Sequence, residues 1–120
     1  MNAKHRILVV DDEATIRTLV KMVFERAGYD VTTARDGREA IALLATSDYD
    51  LVLLDVIMPH ISGLGVVDEL RRNNTAVLAH TYLLTCADSD QLADLPVRGI
   101  IAKPFDITSL LAEAKDCIGH

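Results

Sequence analysis

Apolar runs of four or so residues alternate along this chain with stretches in which apolar positions recur every three or four residues. Ile7-Leu8-Val9-Val10 reads as a buried strand. Residues 14–27 follow with Ile16, Leu19, Val20, Val23 and Phe24 at helical spacing, and Gly28 as the stop. Residues 31–34 form a second strand, and Asp36 is placed to cap a helix carrying Ala40, Ile41, Leu43 and Leu44. Leu51-Val52-Leu53-Leu54 is the third strand, and residues 63–72 the third helix, with Val66, Val67 and Leu70 inward and Asn73-Asn74 as its break. A fourth strand lies within 77–84, interrupted by His80 and Tyr82, which should share one face if they are two apart on a strand. Residues 88–95 allow only a short fourth helix before Pro96. A fifth strand spans 97–102, and Asp106 heads a last helix with Ile107, Leu110, Leu111, Ala114 and Ile118 on one side. Five βα units in succession predict an α/β domain, a parallel sheet with helices on both faces.

Polar residues close four of the apolar runs. Asp11 and Asp12 end the first, Asp55 the third, Thr85 the fourth and Lys103 the fifth. In open sheets of this kind ligands bind beyond the carboxyl ends of the strands, so these residues should meet at one edge. Three clustered carboxylates repel one another unless a cation intervenes. Mg2+ suits them, since it takes oxygen ligands and keeps waters for a phosphate to replace. Asp12 and Asp55 are the expected direct ligands, the Ile57 carbonyl a third oxygen, and Asp11 a partner through a bound water. Asp11-Asp12-Glu13 alone reads equally well as a helix cap with first-turn acids. Lys103 can pair with Asp55 at rest and with a phosphoryl oxygen later, and Thr85 can donate to such an oxygen. A carboxylate nucleophile, a metal, a lysine and a hydroxyl are the parts needed to form an aspartyl phosphate.

The bulk figures bound the rest. A chain of 120 residues is the size of one domain, 1–120, and half its residues are hydrophobic. No apolar run approaches the ~20 residues of a membrane helix, and the first six residues lack a signal-peptide core, so a cytoplasmic protein with no membrane partner is expected. A net charge of −6 argues against direct nucleic-acid binding through overall charge. Cys86 and Cys117 lack metal-site spacing and read as reduced, mostly packed thiols. His60 reads as a solvated loop residue. Gly63-Leu64-Gly65 is not a dinucleotide fingerprint, because Asp68 stands at the third glycine position.

With those residues laid out, the chain resembles the receiver domain of bacterial two-component response regulators. The segments that carry the likeness are Ile7 to Glu13, Asp55-Val56-Ile57-Met58-Pro59 with Gly63, Leu83-Leu84-Thr85, and Lys103-Pro104-Phe105. The resemblance implies a flavodoxin-like, doubly wound (βα)5 fold with strand order 2-1-3-4-5. It implies phosphorylation of Asp55 by a histidine kinase or a histidine phosphotransfer protein, a Mg2+ requirement, and a cis Lys103–Pro104 peptide. Two positions depart from the family. Ile100 stands where Tyr or Phe usually sits three residues before the lysine, so the threonine–aromatic relay is not expected in its usual form. Only 17 residues separate Thr85 from Lys103, so the fourth helix should be short or irregular. Output is then expected through another surface, or a modified form of the usual face of fourth helix, fifth strand and last helix. Ile57 and Ala87, two residues after Asp55 and Thr85, are apolar and cannot orient an attacking water, which predicts a slowly hydrolysed acyl phosphate. Two other readings remain: a receiver used only as a binding module, and a haloacid-dehalogenase-type phosphohydrolase with Asp11 as nucleophile. The second lacks an aspartate at Glu13. A homodimer, and the chain's standing alone or within a larger regulator, are left open.

Overall fold

The computed structural model describes residues 4–58, 60–86, 92 and 94–118. Five strands, β1 (Arg6–Val10), β2 (Asp30–Ala34), β3 (Leu51–Asp55), β4 (Thr81–Thr85) and β5 (Gly99–Ala102), form one parallel sheet in the order β2-β1-β3-β4-β5. The helices among the described residues are α1 (Ala14–Arg26), α2 (Gly37–Thr46), α3 (Gly63–Asn73) and α4 (Ile107–Ile118), with a 3-10 helix at Thr75–His80. The (βα)5, flavodoxin-like architecture is as expected.

The continuous apolar runs follow from burial on both faces. Side chains alternate along a strand, so β1 sends Ile7 and Val9 one way and Leu8 and Val10 the other. One core layer joins Leu8, Val10, Val52, Leu54 and Leu83 to Ala40 and Leu44 of α2 and Val66, Val67 and Leu70 of α3. The other joins Ile7, Val9, Leu51, Leu53 and Leu84 to Val20 and Phe24 of α1 and Leu110 and Ala114 of α4. Each such aliphatic side chain, removed fully from water, contributes about 1.5–3 kcal/mol.

Local signals set the helix ends. Gly28 takes φ +100°, a left-handed conformation that glycine adopts without steric penalty. Gly28 N–H donates to Glu25 O and Tyr29 N–H to Phe24 O, both at 3.1 Å, which closes α1 in a Schellman turn. Asp36 Oδ1 accepts from Glu39 N–H at 3.0 Å and caps α2. Asp106 Oδ1 accepts from Thr108 N–H at 3.0 Å at the head of α4.

Three expectations change. The fourth strand begins at Thr81, not at residue 77, because residues 75–80 wind into the 3-10 helix. That turn buries Val77 and Leu78, and Val77 O accepts from the Thr81 hydroxyl at 2.8 Å. His80 therefore ends a helix in solvent and shares no strand face with Tyr82. The fifth strand begins at Gly99, because Val97 N–H turns back to Leu95 O. Cys86 is exposed, not packed, since it lies just past the end of β4 where the sheet no longer covers it; Cys117 is half-buried. The expected short fourth helix at 88–95 falls mostly outside the described residues, as does Ala87. Among the described residues there, Leu92 is buried and Leu95 and Val97 pack beside it on the α2–α3 side. Ile100 packs against that same layer as an ordinary strand residue.

Candidate functional site

The sheet order puts β1, β3 and β4 side by side, and their carboxyl ends open on one edge. Asp11 follows β1 directly. Its N–H donates to Ala34 O at 3.1 Å, which continues the β1–β2 ladder by one residue and holds the side chain inside. Asp55 is the last residue of β3, and Thr85 the last of β4; both are buried. Lys103 follows β5. Its N–H donates to Thr85 O at 2.8 Å, and the Lys103–Pro104 peptide is cis, as the resemblance implied.

These ends converge. One carboxylate oxygen each from Asp11, Asp12 and Asp55 lie within 4.8 Å of one another, with Asp12 exposed and the other two buried. Lys103 Nζ lies 2.9 Å from Asp11 Oδ2, 3.4 Å from Asp55 Oδ1 and 3.6 Å from Glu13 Oε1. Lys103 thus pairs most closely with Asp11, and Asp55 is its second partner. Asp12, Glu13, Asp55, Ile57, Thr85, Cys86 and Lys103 line a cleft of about 230 Å3. A wider groove, about 710 Å3, lies between the carboxyl ends of α2 and α3 and includes Arg6, Asp48 and Glu69. The smaller cleft has the convergent chemistry: three acids, a lysine and a hydroxyl residue.

The electrostatics are unbalanced. The Asp55 carboxyl is pushed up to about 6, first by burial and then by the charge of Asp11, while Lys103 pulls it down. For Lys103 the largest single influence is burial, which disfavours its charge. The hydrogen bond and charge of Asp11, with Asp55 behind it, outweigh that, and the net shift is upward. One lysine does not neutralise three acids, so the cluster favours a divalent cation bound by oxygen atoms. Asp12, exposed at the rim, and Asp55 offer carboxylate oxygens toward the cleft. Asp11 already spends Oδ1 on Glu13 N–H at 2.9 Å and Oδ2 on Lys103. The capping alternative for Asp11-Asp12-Glu13 is not realised at the helix start: no side chain caps α1 at Glu13, and the carboxylates turn to the cleft.

Two participants went unnoticed in the sequence. Arg17 Nη1 donates to Asp11 O at 2.7 Å, tying α1 to the strand end. Its only signal is its place one turn after Glu13, which many surface arginines share. Glu13, considered only as a helix-start acid, is the third partner of Lys103. Gly63, read only as part of a motif, is a close-packing position: a Cβ there would press on Asp55 O and lie 2.8 Å from Val56 Cα. His60 is exposed, as expected, but its backbone is left-handed at φ +67°.

Comparison with known proteins agrees with this arrangement. The family model described as "Response regulator receiver domain" matches residues 7–115. The DNA-binding dual master transcriptional regulator RpaA of Synechocystis sp. is 37% identical over 114 residues, covering 92% of this chain and 47% of its own. The chain spans about half the length of the curated relatives it matches. Among solved structures, response regulator TrrA of Thermotoga maritima, in complex with Mg2+–BeF, is 38% identical with a TM-score of 0.82, over 94% of this chain and 98% of that one. The Francisella response regulator 1452 receiver domain has a TM-score of 0.89 at 29% identity, over 97% and 98% of the two chains. No helix among the described residues is long and apolar enough to cross a membrane. A match that runs from the first buried strand into the last helix, on this strand order and this edge, makes the chain a member of the response regulator receiver domain family of two-component systems.

Proposed function

We propose that Asp55 accepts a phosphoryl group from a histidine kinase or a histidine phosphotransfer protein, and that the resulting aspartyl phosphate changes the affinity of the domain, residues 1–120, for a partner. The observation that carries this reading is the meeting of Asp11, Asp12 and Asp55 at one strand edge, with Lys103 Nζ 2.9 Å from Asp11 and 3.4 Å from Asp55. In the transfer, an Asp55 oxygen attacks phosphorus, the donor's P–N bond breaks, and the histidine leaves with that electron pair. Asp55 must be ionised to attack. Burial and the charge of Asp11 disfavour that ionised form, pushing its carboxyl up to about 6, and a neighbouring cation would favour it.

Asp12, Asp55 and the Ile57 carbonyl would hold Mg2+, with Asp11 acting through a bound water. The ion would supply positive charge against the acids and the incoming phosphoryl oxygens. Lys103 then exchanges its contact with Asp55 for a phosphoryl oxygen, and Thr85 donates its hydroxyl to another. The Thermotoga relative is described in complex with Mg2+–BeF, which supports Mg2+ as the ion of this site. Asp11, with both oxygens engaged, is poorly disposed as a nucleophile, which counts against the hydrolase reading. The domain catalyses only its own modification. The names of the longer relatives, transcriptional regulators of which this chain matches about half, support a DNA-binding output partner; nucleic-acid contact outside this domain and a cytoplasmic setting complete the reading.

Incubation with acetyl phosphate and MgCl2, followed by intact-mass measurement, tests the reading. A phosphoryl adduct that requires Mg2+ and vanishes in Asp55→Asn is expected. An adduct that persists in that variant, or none in the parent with either acetyl phosphate or beryllium fluoride, overturns it.

A further inference from the structure

The described residues between Asp55 and Gly63 form no helix or strand, yet the loop has to fix the Ile57 carbonyl if that oxygen is to serve the site. Its near end is tied. Val56 N–H donates to Leu84 O at 3.0 Å, and Val56 O accepts from Gly63 N–H at 2.8 Å. Gly63 itself allows α3 to sit directly on the backbone of Asp55 and Val56.

The far end of the loop rests on a different element. Gly37, the first residue of α2, is buried against Ile61. A Cβ at Gly37 would lie 2.8 Å from Ile61 Cβ and 3.0 Å from Ile61 C, and closer still to the Ile61 carbonyl oxygen. Much of that obstruction is backbone, so no side-chain rotation clears it. A Cβ at Gly65 of α3 would lie 2.7 Å from Ile61 Cγ2, so Ile61 is held from the α3 side as well. His60, one residue earlier, already takes a left-handed φ that few non-glycine residues adopt.

We infer that Gly37 is a positioning residue for the phosphoacceptor site: it seats Ile61 and thereby anchors the far end of the segment whose near end carries the Ile57 carbonyl. Nothing in the motif around Asp55 points to it, because Gly37 lies on another βα unit and touches no acid of the site. Val56 is tied at both its N–H and its C=O, so a displaced Ile61 would bear on Ile57 rather than on Val56. The inference rests on the proposed Mg2+ site.

The test is an amide chemical-shift titration with MgCl2, needing no phosphodonor, on the parent, Gly37→Ala, Ile61→Ala and Gly99→Ala. A Cβ at Gly99 would meet only the Tyr82 ring, at 2.8 Å, so Gly99→Ala is a steric control remote from the loop. Gly37→Ala is expected to weaken Mg2+ binding at least fivefold, Ile61→Ala two- to threefold, and Gly99→Ala less than twofold. A folded Gly37→Ala within twofold of the parent overturns the inference, as does an equal loss in Gly99→Ala. Should Gly37→Ala not fold, Ile61→Ala decides, and parental affinity there overturns it. A parent that binds no Mg2+ overturns the proposed function itself, which separates the two failures.

Discussion

Lys103 gives its closest contact to Asp11, at 2.9 Å, although the two residues are 92 positions apart in the chain. The bond spans from the end of β5 to the end of β1, across β3 and β4. It makes Lys103 a structural counter-charge for a carboxylate with no solvent exposure as well as a participant at Asp55.

Replacing Lys103 by Met separates those roles. The variant leaves buried Asp11 with Glu13 N–H but no cation, and removing one partner of a buried pair is costly. Allowing for solvent screening at the cleft mouth, the metal-free protein should lose about 1–2 kcal/mol at neutral pH. Its Mg2+ affinity should rise severalfold, because the ion no longer faces a fixed positive charge beside the acids. Urea unfolding with EDTA and with Mg2+ checks both. Weaker Mg2+ binding in Lys103→Met would show that the lysine organises the acids rather than opposing the ion.

Asp55 gives a pH dependence with a definite sign. Burial, and then the charge of Asp11, push its carboxyl up to about 6 in the folded protein, against ~3.9 in an unfolded chain. Between those values the unfolded chain gives up the proton that the folded protein keeps. The stabilising contribution is therefore complete below about pH 4 and is lost as pH rises through about 6. Two pKa units correspond to nearly 3 kcal/mol, and screening by solvent reduces this to about 1–2 kcal/mol. Asp55→Asn should thus stabilise the metal-free protein by that amount at pH 7.5 and by little at pH 4. Denaturation midpoints at the two pH values in EDTA are the measurement, and equal midpoints for parent and variant at pH 7.5 would refute the account.

Those two residues also show what was legible in the sequence. Asp11, Asp55, Thr85 and Lys103 each interrupt an apolar run, and a parallel sheet brings such interruptions to one edge, so their convergence followed from periodicity alone. The pairing within the cluster did not. Lys103 was expected to face Asp55, but the shortest distance depends on how far β5 reaches past β3, and strand register is not written in composition. Residues 77–80 misled for a similar reason. Val77-Leu78-Ala79 is a short apolar run, and length alone does not separate a strand from a helical turn. The turn prevails there because it buries Val77 and Leu78 and gives the Thr81 hydroxyl a carbonyl. Gly37 was invisible because a close approach between a helix start and a loop leaves no periodic trace.

Tyr82 offers a check on the opposite face of the sheet. The ring is buried in the α1–α4 layer, and its hydroxyl donates to Glu113 Oε2 of α4 at 3.1 Å. Burial is the main cause holding the phenol above its usual pKa. Tyr82→Phe keeps the packing and removes one hydrogen bond to a carboxylate, so a loss of about 0.5–1.5 kcal/mol is expected. Phosphorylation of Asp55 should be unchanged, since the hydroxyl lies on the α4 side and not in the cleft. A change in Mg2+ affinity in this variant would reveal coupling from α4 to the cleft that the geometry does not contain.

The lifetime of the aspartyl phosphate depends on who can direct water to it. Ile57 is 64% exposed at the rim of the cleft, two residues beyond Asp55. An isoleucine there neither accepts nor donates a hydrogen bond, so it shields the acyl phosphate without activating a nucleophile. The phosphorylated parent, freed of its phosphodonor, should decay over minutes or longer. Ile57→Asn places an amide at the same rim, able to hold a water by hydrogen bonds, and should shorten that lifetime by roughly tenfold. Because the side chain is exposed, the substitution should leave stability within about 0.5 kcal/mol of the parent. Time-resolved intact mass after rapid desalting measures the decay. A parent half-life of seconds would mean that another group already positions the water, and Ile57 would then have no bearing on the rate.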